Sequence, residues 1–222
     1  MPESPILSRT HKPAAWGQRA FAWSLHAGNR LMRGVAPERK DRLFRMLSGR
    51  VLEIGPGAGA NLPLYPRDTT LFGIDPNRFM FRYLREEAHE AARTMHLLNG
   101  RAESLCLSDN AIDAVVCTHV LCSVDDLDAA LREILRVLKP GGLFVFFEHV
   151  AAPRATPLRF LQRLLRPGWQ KAGEGCRPDR ELWRALEKAG FSHLTYEHFR
   201  VPWALAVSPH LAGWARKPGG AG

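Results

Sequence analysis

The chain has no apolar run approaching the ~18–20 residues that a membrane-spanning helix needs, so none of its 222 residues reads as part of a transmembrane segment. Its opening residues, MPESPILSRTHKPAAWGQ, carry no apolar core followed by a small-residue cleavage site. A cytoplasmic protein without a secretory leader is therefore expected. Internal repeats and low-complexity tracts are absent as well. The four cysteines, Cys106, Cys117, Cys122 and Cys176, form no CxxC pair and have no His-rich cluster beside them. That pattern argues against a zinc site, and no metal is expected. Disulfides are not expected without a secretory context. Cys106, Cys117 and Cys122 fall in apolar, strand-like stretches and read as small buried hydrophobes. Lysine is scarce, six among 31 basic residues. The arginines that supply the rest are scattered, with no run of five or six and no aromatic-interleaved motif. A net charge of +9 therefore does not read as a nucleic-acid interface, and nucleic acid is not an expected partner.

What remains is the composition of one globular α/β domain, 45% hydrophobic and 24% charged. Residues 1–13, with prolines at positions 2, 5 and 13, are expected to be disordered. Residues 14–47 are helical in pattern, with Trp16, Phe21, Trp23, Leu25, Leu31 and Met32 apolar. The pattern breaks at 34–37 and resumes with Pro37 in a first helical turn, where Glu38 suits the positive helix end. Strands are expected at 50–55, 69–75, 95–98, 111–121 and 141–150, with helices at 78–93 and 127–138 between them. Strands this continuously apolar are buried on both faces, as in a parallel sheet. Such alternation implies a Rossmann-like, doubly wound α/β fold. A later helix is expected to start at Asp179 as its N-cap and stop at Gly190. Two closing strands, 193–201 and 210–216, complete the pattern.

The stretch VLEIGPGAGANL sets Gly55, Gly57 and Gly59 between a strand and a helix. Glycines there let the backbone turn sharply and approach a ligand, and a helix start offers unpaired N–H groups. This spacing also fits the nicotinamide fingerprint. Asp75, followed by Pro76, closes the second strand where a carboxylate can accept hydrogen bonds from ribose hydroxyls. Glu53, two residues before the first glycine, is not typical of dehydrogenases and suits the cationic amino-acid end of S-adenosylmethionine (SAM). Arg101-Ala102-Glu103 falls at the end of the third strand, where an acid can accept a bond from an adenine amino group. LRVLKPGG leads into the fifth strand.

Taken together these motifs resemble the class I SAM-dependent methyltransferases, over about residues 40–216. The resemblance implies a seven-stranded sheet whose final strand runs antiparallel, with SAM as cofactor held by Glu53, Gly55, Gly57, Gly59, Asp75, Pro76, Ala102, Glu103 and His119. It implies N-terminal tail and cap helices over 1–45, and a methyltransferase domain over 46–222 with an acceptor-side insertion at about 151–178. Longer stretches (ERKDRLFRML, VVCTHVLCSV, FFEHVAAP, the W-x5-GC spacing from Trp169 to Cys176, and SPHLAGWARK) are similar to the alkyl thiol S-methyltransferase family and its bacterial relatives. Thiol sulfur is then the expected acceptor atom on a small molecule. Methylation of an amine, a hydroxyl or a phospholipid head group stays open. A nicotinamide-dependent oxidoreductase would need a Tyr-x-x-x-Lys or comparable pair, which the chain lacks.

Open α/β sheets bind ligands past the carboxyl ends of their strands. His119, in the fourth strand, is expected to contact SAM or face the acceptor. Glu148 and His149 end the fifth strand, and alternation lets only one of them face the pocket; His149 is the candidate general base and Glu148 the structural one. His210 is a third candidate, and no neighbour that would activate Cys176 is evident. In 154–171, Leu158, Leu161, Leu164 and Leu165 form an apolar stripe beside a basic one of Arg159, Arg163 and Arg166. It reads as a lid helix packed on the domain with solvated arginines, or as a lid whose rim meets a membrane surface. Peripheral membrane contact is thus an expected partner interaction, while oligomeric state has no signature in the sequence.

Overall fold

Val51, Leu52, Glu53 and Ile54 are all buried, and so are Val115, Val116 and Cys117. An apolar run with no solvent side belongs in the middle of a covered sheet, and the computed structural model, which describes residues 15–220, places both there. The seven strands are β1 (Arg50–Ile54), β2 (Thr70–Asp75), β3 (Met95–Asn99), β4 (Ile112–Thr118), β5 (Leu138–His149), β6 (His193–Arg200) and β7 (Pro209–Arg216). They lie in the order β3-β2-β1-β4-β5-β7-β6. The first five strands pair in parallel, while β7 runs antiparallel to both β5 and β6. This is the Rossmann-like seven-stranded sheet that the sequence predicts. The order reverses between β1 and β4, so the crevice past their carboxyl ends is where a ligand site belongs.

One core cluster gathers Leu52, Ile54, Val115, Phe144 and Phe146 under helix α5 (Leu127–Val137) and helix α7 (Leu182–Lys188). The opposite face packs Val51, Val116, Val145 and Phe147 against helix α3 (Pro37–Phe44) and the region of helix α4 (Met80–Glu90). Asp126 caps α5 by accepting a hydrogen bond from Ala129 N at 2.9 Å, and its buried face is Ala130, Leu131, Ile134 and Val137. Pro37 sits at the start of α3, as expected. Helices α1 (Ala15–Ala27) and α2 (Asn29–Arg33) precede it. The tail expected at 1–13 lies outside the described residues.

Four expectations are corrected. The fourth strand stops at Thr118 rather than running to 121, because His119 adopts a left-handed φ of 56°. The helix expected from Asp179 starts at Leu182, since Asp179 pairs with Arg166 at 3.5 Å and Glu181 with Arg154, Arg159 and Arg184. Cys106 is exposed rather than buried. The lid helix α6 (Pro157–Ala172) presents the opposite face from the one its leucines suggest. Arg159 and Gln162 are its buried side chains, while Phe160, Leu161, Leu164 and Leu165 are exposed. Polar tethers decide this: Gln162 Nε2 donates to Val150 O (3.1 Å) and Ala206 O (2.9 Å), and its Oε1 accepts from Ala152 N (2.8 Å). The Arg159 guanidinium pairs with Glu181 at 3.1 Å.

Candidate active site

At the end of β1 the chain turns through Gly55 and Gly57 with φ of 63° and 54°. A side chain at Gly55 would put its Cβ 2.4 Å from Val120 Cγ2, so the turn needs glycine for closeness as well as for conformation. Gly59 serves packing: its Cβ would lie 2.9 Å from both Leu62 Cδ1 and Leu84 Cδ1. Asp75, at the tip of β2, accepts from Asn77 N at 2.8 Å. Burial lifts its carboxyl to about 6 against hydrogen bonds from the Asn77 and Gly57 amides.

The glycine turn, Asp75 and Pro76 line a cavity of about 390 Å³. Helices α1 and α2 form one wall, with Phe21, Leu25, Asn29 and Met32. They are held on the glycine turn by Asn29 Nδ2, which donates to Ala58 O at 2.9 Å, and by Arg33 Nε, which donates to Ala60 O at 3.3 Å, while the Arg33 guanidinium pairs with Glu87 of α4. Glu174, beyond α6, also lines the cavity and accepts from Asn77 Nδ2 at 3.1 Å. Burial, with Asp75 nearby, lifts its carboxyl to about 7.

Below the glycine turn, Glu53 is fully buried and accepts from Asn61 Nδ2 at 2.7 Å. Asn61 also bonds Thr118 Oγ1 at 2.7 Å. The buried Lys40 donates to Met32 O at 2.9 Å, and burial pulls its ammonium down to about 8. Glu53 does not line the cavity, and neither do Gly59, Ala102 and Glu103. Ala102 is in the core, and Glu103 accepts from Asp125 N at 2.9 Å. Lys40 and Asn61 carried no sequence signal of their own, although both line the cavity.

The opposite end of the cavity is built from three strand ends. His119, His149 and His210 meet there with ring centroids 5.3–6.3 Å apart. All three line the cavity, which puts the three candidates in one group. Glu148 faces the other way: its carboxylate accepts from Val120 N (2.8 Å), Leu121 N (3.0 Å) and Cys122 N (3.4 Å) and is fully buried. Burial pushes it up to about 8. Burial also keeps His119 well below the usual imidazole range, and it brings His210 down to about 4. His149 behaves differently. Burial pulls it down, but the Cys122 sulfur beside it and the Glu148 carboxylate together hold it above its ordinary value.

The neighbours of His149 Nε2 are Cys176 Sγ at 3.2 Å and Cys122 Sγ at 3.4 Å. Cys176 therefore has a partner after all, and sequence reading missed Cys122 because two loops distant in sequence bring the sulfurs together. Burial pushes the Cys122 thiol up, yet hydrogen bonds from Cys176 and the charge of His149 leave it well below its ordinary value.

The residues present fit SAM. Gly55 and Gly59 have no room for a side chain and Gly57 sits at a φ of 54°, while carboxylates at Asp75 and Glu174 line a space suited to a diol and a cation. His119 Nε2, on the cavity wall, is a buried polar atom with no partner among the described residues.

Comparison with known proteins agrees with this geometry. A methyltransferase domain family matches residues 52–146. Human thiol S-methyltransferase TMT1A is 41% identical over 181 residues, covering 75% of this chain and 70% of that protein. Human thiol S-methyltransferase TMT1B is 39% identical over 193 residues, covering 81% and 78%. Among solved structures, a SAM-dependent methyltransferase from Thermotoga maritima superposes with a TM-score of 0.66 at 23% identity, covering 92% of this chain and 100% of that one. With the fold, the glycine cradle and this degree of identity in agreement, the chain is a SAM-dependent methyltransferase and belongs to the thiol S-methyltransferase family.

Proposed function

We propose that the enzyme methylates the sulfur of small, largely apolar thiols. The observation that carries this is the single cavity with two unlike ends, a carboxylate-and-glycine end at Asp75 and a buried imidazole–sulfur end at His149. SAM, when bound, supplies an electrophilic methyl group on a sulfonium centre. The Gly55 and Gly57 backbone and Asp75 hold it, the latter through the ribose hydroxyls. Pro76 and Gly59 shape the turn, and Glu53, tied to Asn61, sets the charge beneath the amino-acid end. Ala102 and Glu103, which the resemblance assigns to the adenine, stand back from the cavity wall, and His119 lies at the boundary with the acceptor.

A thiol is already a few per cent ionised near neutral pH, so the protein needs only to bind, orient and take up a proton. His149 is the group placed to take that proton, with His119 and His210, held neutral by burial, bounding the space around it. Helices α1 to α3, within residues 1–45, act as a cap that excludes water from the 46–222 domain. Such positioning can supply ~7–11 kcal/mol of the barrier.

A lipophilic acceptor is favoured by Trp169 and Trp203 in the cavity wall, carried by α6 and by residues 202–207, the two segments that also expose Phe160, Leu164 and Leu205. The same exposed side chains support peripheral contact with a membrane surface by a cytoplasmic enzyme. Among the described residues no helix is long and apolar enough to cross a membrane. The test is S-adenosylhomocysteine formation across alkyl and aryl thiols, catechols, amines and phosphatidylethanolamine vesicles. Turnover confined to thiols is expected; turnover on amines or lipid head groups and not on thiols would discard the acceptor assignment.

A further inference from the structure

Two cysteines and a histidine converge at the acceptor end, and the proposed thiol acceptor rests on the same wall. Cys122, His149 and Cys176 each offer one ligand atom, and these atoms lie within 4.8 Å of one another. A tetrahedral Cys2His zinc site, with Zn–S ~2.3 Å and Zn–N ~2.0–2.1 Å, sets its ligand atoms about 3.5–3.8 Å apart. The two sulfur–nitrogen distances here, 3.2 and 3.4 Å, require an expansion of only a few tenths of an ångström. All three residues line the cavity, so an ion among them has protein on three sides and the acceptor space on the fourth.

The loops that carry the sulfurs are fixed in advance. The Glu148 carboxylate holds the 120–122 amides. Arg180 donates to Val124 O at 2.8 Å, and Arg177 N donates to Cys122 O at 2.9 Å, which ties the Cys176 loop to the Cys122 loop. Gly175, at φ 99°, lets the two loops close: a Cβ there would lie 2.8 Å from Ser123 O. His119 stacks on His149 with centroids 5.6 Å apart and sets the plane of the ligating ring.

We propose that Cys122, His149 and Cys176 bind a zinc ion whose open fourth position takes the acceptor sulfur as a thiolate. The proposal rests on the thiol-methyltransferase reading. Three protein ligands with an open position is the arrangement of catalytic rather than structural zinc. Binding the ion releases the two cysteine protons. The acceptor thiol loses its proton to solvent as its sulfur enters the fourth position. A lone pair on that sulfur forms the new S–CH3 bond as the methyl–sulfonium bond breaks. The bonding pair stays on the departing S-adenosylhomocysteine. The neutral thioether is a poorer ligand than the thiolate and leaves. Zinc undergoes no redox change, and with Nε2 on the ion His149 serves as a ligand, a role that replaces direct uptake of the acceptor proton.

The full chain, purified without chelator and loaded with zinc, is expected to hold about one zinc per chain by elemental analysis. Cobalt substitution is expected to give a thiolate-to-metal charge-transfer band with tetrahedral visible bands. Cys122→Ser and Cys176→Ser should each weaken zinc binding at least about 100-fold by competition with a chromophoric chelator. Cys106→Ser, at an exposed position, should not change it. A protein that binds no zinc and gives no cobalt–thiolate band overturns the site, as does zinc retained in Cys122→Ser or a Cys122–Cys176 disulfide in unreduced protein. The cobalt spectrum of the wild type keeps the test valid if a serine variant fails to fold. Failure of the acceptor reading is distinguishable. Metal-stripped enzyme that methylates thiols as fast as the loaded form overturns the zinc proposal and leaves the thiol reading standing. A loaded site with thiols unmethylated and amines methylated overturns the fourth-position role and the thiol reading together.

Discussion

The two ends of the cavity are built by opposite means. At the cofactor end, Gly55, Gly57 and Asp75 come from one strand–turn–strand unit, and neighbours in sequence are neighbours in space. At the acceptor end, His119, His149 and His210 come from three strand ends, and Cys122 and Cys176 from two loops. Backbone conformation and one carboxylate make the first end. Side chains of remote origin, held by buried hydrogen bonds, make the second. The cofactor end should therefore respond to single changes in binding, and the acceptor end in turnover.

The sharpest break in that comparison comes from Asp75→Ala. Losing charge-assisted bonds to two ribose hydroxyls, each worth ~1.5–3 kcal/mol, should weaken SAM binding by at least about 100-fold in calorimetry. Unchanged affinity would remove Asp75 from the cofactor end. His149→Ala is the converse: kcat should fall about 100-fold, with SAM affinity unchanged within about twofold. Turnover equal to wild type at saturating acceptor would take His149 out of the chemistry.

Gln162→Ala tests the tethers of the acceptor side. It frees three buried backbone partners and should cost about 2–3 kcal/mol in chemical unfolding.

A pH series separates Asp75 again, by stability this time. Its carboxyl rises from 3.8 unfolded to about 6 in the folded, cofactor-free protein, so between those values the folded state binds more protons. The contribution of Asp75 to stability is fully present below about pH 4 and is lost as pH rises through 6, by about 2–3 kcal/mol. Asp75→Asn should flatten this fall in thermal melts; an identical pH profile for the two proteins would refute the assignment. The smallest effect belongs to Leu164→Ser on the exposed face of α6, with stability within about 0.5 kcal/mol of wild type. A larger loss would mean that face is covered in solution.

The helix boundaries show where local reading stops. The sequence predicts α5 well because its apolar face and the following Lys-Pro-Gly-Gly are consecutive. It misplaces the face of α6 because leucine spacing says which residues share a face, not which face is buried. There a glutamine bonded to three backbone groups and an arginine paired with Glu181 outweigh four apolar side chains. Likewise Asp179 has the composition of an N-cap, but its carboxylate pairs with Arg166. Cys106 reads as strand-like and apolar, yet it lies past the bridge between Arg101 and Ser104, on the surface.

By itself the sequence determined the sheet, the glycine turn, Asp75 and the resemblance that named the cofactor. All of these rest on short-range spacing, period and turn chemistry, which survive in one dimension. Only the tertiary structure decided that three histidines share one wall, that Lys40 and Asn61 reach the cavity, that α6 turns its leucines outward, and that Cys122 and Cys176 meet at His149. Those contacts join residues far apart in the chain, and each depends on how buried polar groups elsewhere find their partners.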